Sequence, residues 1–311
     1  VKSIVLAMPG GCELGGGPQY FCTTWRGFLA CIAVSLLISM ASGLQLALAG
    51  KRALVTGSSG GIGAGIAIKL AAEGAHVLVH YHTRREGARA TADAIVAAGG
   101  YCVGIVQCDF RSPDAIGNMM EGLSNIWGDG FDILINNAGI VTKLAIQDDD
   151  ESLSAWHETM SVNLHAPIQL SRLAHSRMKG RKGVIVNVSS IHGARSVEFM
   201  TAYAASKAAL DSVTRGLALE YASDEIRVNA IAPGVVPVER TAEVFANPDT
   251  TKMWLPHLPA GRLGTVQDIA DAVLPLCTNE WVTGAIWTID GGMTARSNMP
   301  MRPRPKPADS D

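Results

Sequence analysis

Tyr203 and Lys207 have the residue types and the spacing for proton transfer. They stand four positions apart in the segment YAASK, and on a helix this spacing turns both side chains to one face. A free tyrosine has a pKa of about 10, too high for ready proton exchange near neutrality, and a neighbouring ammonium lowers it. Such a pair can protonate a carbonyl oxygen as it becomes an alkoxide. An ordinary helical pair, with the tyrosine in the core and the lysine in solvent, is the alternative.

A glycine-rich segment, TGSSGGIG, covers residues 56–63 and follows an apolar, β-prone run. Its glycines allow a sharp turn and a close approach to a pyrophosphate, and the helix that follows directs its free N–H groups at the phosphates. A glycine turn without a ligand is the alternative. The predicted cofactor-binding residues of this loop are Gly57, Ser59, Gly61, Ile62 and Gly63.

Strands and helices alternate along the chain after this loop. Strands are predicted at 52–57, 76–81, 102–107, 131–135, 183–189, 226–231 and 285–289. Helices are predicted at 61–75, 85–98, 113–127, within 154–178, and at 202–222 and 266–277. This alternation predicts an α/β fold with a single Rossmann-type, doubly wound parallel sheet and helices on both faces. Ligands of such sheets bind at the carboxyl ends of the strands.

Composition excludes several classes of function. The formal net charge is −2, which gives no electrostatic basis for nucleic-acid binding. The six cysteines form no CxxC motif or Cys/His cluster, and the pair His80 and His82 lacks a third ligand, so no metal is expected. Reduced, buried thiols are the expected state of the cysteines.

Several motifs in a fixed order resemble the short-chain dehydrogenase/reductase family, in particular its 3-oxoacyl-(acyl-carrier-protein) reductase-like members. The resemblance covers about residues 45–295. Its motifs are TGSSGGIG, CDF (108–110), NNAG (136–139), VNL (162–164), IVNVSS (185–190), YAASK (203–207), IRVNAIAPG (226–234), PAGRLG (259–264) and VTG…IDGG (282–292).

The resemblance implies direct hydride transfer between NAD(P)H and a carbonyl carbon. Tyr203 would protonate the oxygen and Lys207 would lower the pKa of Tyr203 and contact the ribose. Ser190 would orient the carbonyl; strand alternation turns only one of Ser189 and Ser190 to the site, and the family spacing selects Ser190. Asn163 would hold a water in a proton relay. The further cofactor-binding residues that the family implies are Asp109, Asn137, Ala138, Gly139, Pro233 and Gly234.

The end of the second predicted strand indicates which cofactor is used. Enzymes that prefer NAD place an acid there to bind the ribose 2′-hydroxyl, whereas this sequence has Tyr81 at the matching position and no carboxylate before Glu86. The cationic and polar groups available to a 2′-phosphate are His82, Thr83, Arg84 and Arg85. NADP(H) is therefore favoured, with NAD(H) as the alternative.

The sequence specifies the substrate less closely than it specifies the reaction. The motif set favours a 3-oxoacyl thioester, with a sugar or polyol dehydrogenase as the alternative. A third and remote alternative is a protein that binds NAD(P) without catalysis. The segment 235–263 is expected to decide, but its sequence does not specify a ligand. The family also implies a homotetramer built through helices within 154–178 and 202–222.

The two ends of the chain differ from the rest. Residues 1–39 are interpreted as an extension ahead of a start at Met40, with a secretory signal or membrane anchor, or an unstructured extension, as alternatives. The dehydrogenase domain is predicted at 40–298 and a flexible, Pro-rich tail at 299–311. The favoured interpretation makes the enzyme cytoplasmic, with no membrane partner.

Overall fold

Within the part of the chain that the structure describes, residues 46–128 and 130–296 of a computed structural model, seven strands form one parallel sheet. Their order is β3-β2-β1-β4-β5-β6-β7. The strand order therefore reverses between β1 and β4, which pair directly with Val55 opposite Ile135. The predicted doubly wound parallel sheet is confirmed, and its reversal point is where such sheets form a ligand crevice.

The helices and strands follow one another much as the apolar pattern predicts. The strands are β1 (Arg52–Val55), β2 (His76–Tyr81), β3 (Tyr101–Gln107), β4 (Ile133–Asn136), β5 (Val184–Val188), β6 (Arg227–Pro233) and β7 (Ile286–Ile289). The helices are α1 (Gly61–Ala72), α2 (Arg85–Ala97), α3 (Pro113–Gly122), α4 (Ser124–Trp127), α5 (Ser154–Met160), α6 (Ala166–Met178), α7 (Thr201–Glu220), α8 (Ala242–Ala246), α9 (Pro248–Trp254) and α10 (Val266–Thr278).

The central strands are buried on both faces. The core has one layer on each side of the sheet, and α1 and α10 contribute Ile66, Leu70 and Val273 to the first layer. The second layer includes Ile116 from α3 and Leu170 from α6. Two-sided burial explains why the strands read as continuous apolar runs rather than as alternating patterns.

The apolar pattern predicts one helix within 154–178, but the structure has two helices in this segment. A π-helical turn over Ser161–His165 separates α5 from α6. Pro167, in the first turn of α6, has no N–H to donate to the carbonyl of Asn163, so the regular helical ladder cannot continue through this point. Asn163 lies within the irregular turn.

Among residues 46–128 and 130–296, no helix has both the length and the apolar character needed to cross a bilayer. The predicted domain boundaries at 39/40 and 298/299 and the start at Met40 lie outside the described residues. These boundaries and the cytoplasmic assignment stay predictions.

Candidate active site

A cleft of about 810 Å³ opens at the carboxyl edge of the sheet, within the size range of small-molecule sites. Segments that follow β1 to β6 form its walls. Fifteen of the predicted site residues line it: Gly57, Ser59, Gly61, Ile62, Gly63, Arg84, Asp109, Asn137, Ala138, Gly139, Ser190, Tyr203, Lys207, Pro233 and Gly234. Tyr81 and Asn163 do not.

The glycine loop between β1 and α1 is packed too tightly for side chains. Gly57 has a φ of 62°, and a Cβ on it would lie 2.8 Å from the Cα of Ala138. A Cβ on Gly63 would lie 2.5 Å from the carbonyl oxygen of Gly57. These contacts require glycine, and they leave backbone N–H groups at the start of α1 as the cleft wall, the arrangement that binds phosphates.

His80, near the end of β2, is hydrogen-bonded to the glycine loop. Its Nδ1 accepts a hydrogen bond from the backbone N–H of Gly57 at 2.9 Å, so its Nε2 carries the proton and donates to the carbonyl of Cys108 at 3.1 Å. The ring stacks on Phe110 with centroids 4.4 Å apart. Burial lowers the pKa of His80 to about 4, so the imidazole is neutral and both nitrogens are already in use.

The loop after β4 joins the glycine loop through Thr56. The Thr56 Oγ1 accepts hydrogen bonds from the backbone N–H groups of Asn137 (2.9 Å) and Ala138 (3.0 Å). The Asn137 Nδ2 donates to the carbonyl of Thr56 at 2.8 Å. The residues predicted to border the cofactor are thus fixed to the loop predicted to hold its phosphates.

Tyr203 and Lys207 lie on the cleft-facing side of α7, as the four-residue spacing predicts. The Lys207 Nζ donates to the carbonyl of Val188 at 2.8 Å and lies 5.8 Å from the centre of the Tyr203 ring. Burial lowers the pKa of Lys207 to about 8. Burial also raises the pKa of Tyr203, against hydrogen bonding with Ser190 and the charge of Arg240. The lowering of this pKa by Lys207 stays a prediction.

Ser190 is placed for the predicted role beside Tyr203. A hydrogen bond with Ser190 lowers the pKa of Tyr203, and the Ser190 Oγ accepts the N–H of His192 at 3.2 Å, which starts a short 3-10 turn over Ile191–Gly193. Ser189 also borders the cleft, and its Oγ donates to the carbonyl of Lys207 at 3.4 Å. Burial raises the pKa of Asp211 on α7, against hydrogen bonding with Ser189.

Asn163 lies behind the cleft wall. It is fully buried, its Oδ1 accepts the N–H of Ile140 at 2.8 Å, and its Nδ2 donates to the carbonyl of Ile140 at 2.9 Å. Its side chain therefore fixes the backbone that follows Gly139. The water-holding role implied by the family stays a prediction.

Two predicted cofactor-binding residues lie near the ends of β2 and β3. Asp109 lines the cleft and Tyr81 does not. Asp109 makes a two-pronged salt bridge with Arg111, whose Nε and Nη2 lie 2.9 and 2.7 Å from its oxygens, and this lowers the pKa of Asp109 to about 2. The side chain of Tyr81 packs in the apolar core, since one step along a strand reverses the face. His82 and Arg84, not Tyr81, line the cleft.

Pro233 and Gly234 bring the chain from β6 into the cleft wall, where a Cβ on Gly234 would lie 2.7 Å from the Cβ of Asp290. The following segment crosses to the glycine loop. The Glu239 Oε1 accepts the N–H of Gly61 at 3.1 Å, so a carboxylate lies at the amino end of α1. Arg240, the next residue, also lines the cleft.

Comparison with known proteins agrees with this geometry. A family model described as enoyl-(acyl carrier protein) reductase matches residues 57–294. The chain belongs to the short-chain dehydrogenase/reductase family. It is 39% identical to 3beta-hydroxysteroid dehydrogenase 1 of Eggerthella lenta, over 79% of this chain and 95% of that protein. It is 37% identical to 3-oxoacyl-(acyl-carrier-protein) reductase FabG of Pseudomonas aeruginosa, over 80% of this chain and 99% of that protein.

Solved structures of the family superpose well. A gluconate 5-dehydrogenase of Burkholderia cenocepacia, in complex with NADP and tartrate, shares 27% identity at a TM-score of 0.74, covering 81% of this chain and 98% of its own. A 7 alpha-hydroxysteroid dehydrogenase, complexed with NADH and 7-oxo glycochenodeoxycholic acid, shares 34% identity at a TM-score of 0.73, covering 80% of this chain and 96% of its own. The chain is thus a dehydrogenase/reductase that acts on hydroxyl or carbonyl groups.

Sequence reasoning missed several residues of this short-chain dehydrogenase site. In the sequence, His80 is recognisable only as half of an incomplete metal pair, although its position near the end of a central strand is a usable signal. Arg111, Glu239 and Arg240 gave no signal, because nothing in their sequence neighbourhood shows which loop they contact. Among the described residues, no group of three His, Cys, Asp or Glu side chains could hold a metal ion.

Proposed function

We propose that the chain catalyses NADP(H)-dependent reduction of a ketone, or the reverse oxidation of a secondary alcohol, at Ser190, Tyr203 and Lys207. The observation that carries the proposal is the convergence of these three side chains on a cleft whose other wall is the packed glycine loop. A nucleotide-binding protein without catalysis would have no use for a serine and a tyrosine that share a cleft wall with a buried lysine.

The role of each side chain follows from its surroundings. When bound, the nicotinamide supplies or accepts the hydride. The Tyr203 hydroxyl gives its proton to the carbonyl oxygen, and the Ser190 hydroxyl donates a hydrogen bond that polarises the same oxygen. The Lys207 ammonium favours the phenolate that remains on Tyr203 and can reach a ribose hydroxyl. Asn163 is assigned to the relay that returns a proton to Lys207.

The described residues fit a dinucleotide. Gly57 and Gly63 occupy positions that a Cβ would fill, and the amino end of α1 suits a pyrophosphate. Arg84 and His82 line the end of the cleft that a 2′-phosphate would reach, which supports NADP(H) over NAD(H). The NADP in the gluconate 5-dehydrogenase structure supports the same choice, while the NADH of the steroid enzyme keeps NAD(H) as the alternative.

A Tyr203→Phe variant tests the mechanism. It removes one proton donor and little volume, so turnover should fall on the order of 100- to 10,000-fold while the melting temperature and the Kd for NADPH stay near those of the wild type. Tyr101→Phe, at an exposed tyrosine of β3, is the matched control. If Tyr203→Phe kept more than about a tenth of the wild-type kcat, Tyr203 would not be the proton donor.

For the substrate, we propose a 3-oxoacyl thioester. Support comes from the likeness to 3-oxoacyl-(acyl-carrier-protein) reductases and from Arg240, a cation on the cleft wall whose charge acts on Tyr203 and could hold an anionic group of a carrier arm. A sugar acid would suit the same cation, and the likeness to a gluconate 5-dehydrogenase supports that second candidate.

A substrate panel separates these candidates. Acetoacetyl thioesters, 5-keto-gluconate and a 3-ketosteroid would each be assayed with NADPH and with NADH, in the wild type and in Arg240→Ala. A thioester substrate should show the highest kcat/KM with NADPH, and Arg240→Ala should raise its KM. The highest kcat/KM on the uncharged steroid, unaffected by Arg240→Ala, would reject the proposed substrate class.

The oligomeric state is proposed to be a homotetramer joined through α5, α6 and α7. The outer face of α7 carries Leu219 with 82% of its surface exposed, which suits burial against a second copy. Light scattering of the purified protein should give four times the chain mass, and Leu219→Asp should shift it to smaller species. A monomer at micromolar concentration would contradict the proposal.

A further inference from the structure

Asp211 is a buried carboxylate one helical turn beyond Lys207 on α7. Only 8% of its surface is exposed, and its Oδ1 has no hydrogen-bond partner among the described residues. Burying a charged group without full pairing is costly. A residue with this cost is expected to have a specific role, and its surroundings show which groups it serves.

One contact of Asp211 is with the turn that carries Ser190. The turn Ile191–Gly193 packs directly on α7, and a Cβ on Gly193 would lie 2.6 Å from the Oδ2 of Asp211. Burial raises the pKa of Asp211, against hydrogen bonding with Ser189, the neighbour of Ser190. Asp211 therefore lies beneath the backbone that positions the Ser190 hydroxyl.

The second interaction of Asp211 is electrostatic and involves Lys207. Lys207 is 4% exposed, and the groups facing its ammonium from other elements are the neutral carbonyl of Val188 and the side chain of Asn163 near Gly139. On its own helix the Tyr203 ring lies beside it. Burial lowers the pKa of Lys207, and the negative charge of Asp211, one turn further along, opposes that shift. Arg215 is the other charged group acting on Asp211.

We propose that Asp211 is a positioning residue of this active site, which holds the Ser190 turn against α7 and is the buried counter-charge one helical turn from Lys207. The inference rests on the proposed function of Ser190, Tyr203 and Lys207. With Asp211 neutral, the buried ammonium loses its compensating charge, so Lys207 deprotonates at lower pH and the Tyr203 phenolate loses its support.

The test replaces Asp211 with two neutral residues, Asp211→Asn of nearly the same shape and the smaller Asp211→Ser. Glu220→Gln removes an exposed carboxylate from the same helix and is the matched control. The first measurement needs no substrate: the titration of Lys207 is followed by NMR of side-chain-labelled lysine, assigned by the signal missing in Lys207→Arg. The second is the pH profile of kcat for ketone reduction.

Both neutral variants should lower the midpoint pH of the Lys207 titration by roughly half a unit or more. The alkaline limb of the kcat profile should move to lower pH by a similar amount, while Glu220→Gln should change neither. A lower melting temperature or a lower kcat at every pH, with the titration and the limb unchanged, would show a merely structural role and overturn the inference. Failure of the proposed function itself would appear separately, as full turnover in Tyr203→Phe.

Discussion

Acid should weaken this fold through His80, whose ring joins the ends of three strands. Burial lowers its pKa from 6.5 to about 4. A proton on Nδ1 would also break the hydrogen bond from the Gly57 N–H. In the unfolded chain the imidazole takes up a proton near pH 6.5. Between these two values the unfolded state binds more protons, so the free energy of unfolding falls as the pH falls from about 6.5 to about 4.

The size of the effect follows from the two pKa values. The difference between 6.5 and about 4, at about 1.4 kcal/mol per unit, gives on the order of 3 kcal/mol over the whole window. Between pH 7.5 and pH 5 the loss should be about 2 kcal/mol. The pKa of Asp109 is lowered from 3.8 to about 2, so its contribution to the free energy of unfolding is lost only in more acidic solution. Asp109 therefore does not affect the change between pH 7.5 and pH 5.

Urea unfolding at a series of pH values and one fixed protein concentration measures the effect. His80→Asn removes the titrating ring, so the wild type should lose about 2 kcal/mol more than His80→Asn between pH 7.5 and pH 5. His157→Asn, at an exposed histidine of α5, is the control and should follow the wild type. Parallel pH profiles for the wild type and His80→Asn would refute the reasoning.

Three further predictions concern the cofactor side of the cleft. Glu239→Gln should lower the Kd for NADPH by roughly three- to tenfold in a fluorescence titration, because the carboxylate on the Gly61 N–H competes with a pyrophosphate for the same donor; unchanged or weaker binding would contradict this. Arg84→Ser should reduce kcat/KM with NADPH by roughly tenfold or more and leave the value with NADH nearly unchanged; equal losses with both would show that Arg84 does not select the cofactor. Gly63→Ala should abolish NADPH binding and lower the melting temperature, because its Cβ would overlap the carbonyl oxygen of Gly57 and the side chain of Asn137. Gly117→Ala, where a Cβ meets nothing within 4 Å, should change neither.

Most of the sheet could be predicted from the sequence because its strands are short apolar runs buried on both faces. The second strand was predicted at 76–81, and β2 spans His76–Tyr81. The interruption of 154–178 was missed because the apolar pattern continues through it. Pro167 was the available signal, since a proline inside a helical pattern removes one backbone hydrogen bond.

The site was predictable where the chemistry lies within one local motif. Tyr203 and Lys207 share a helix, so their spacing alone places them together. His80 could not be assigned in this way, because its partners Gly57 and Cys108 lie 23 and 28 positions away and are brought together only by strand pairing. The position of Tyr81 at the end of the second strand predicts a cofactor contact, but the alternation of side-chain faces along the strand places its ring in the core.

The segment after β6 connects the two halves of the cleft. Glu239 binds the amino end of α1, and Arg240, the next residue, acts on Tyr203. The same short segment thus supplies a carboxylate to the glycine loop and a cation to the region beside Tyr203. A pyrophosphate that takes the Gly61 N–H competes with the Glu239 carboxylate for that donor, so this segment contributes to both the proposed cofactor site and the proposed substrate site.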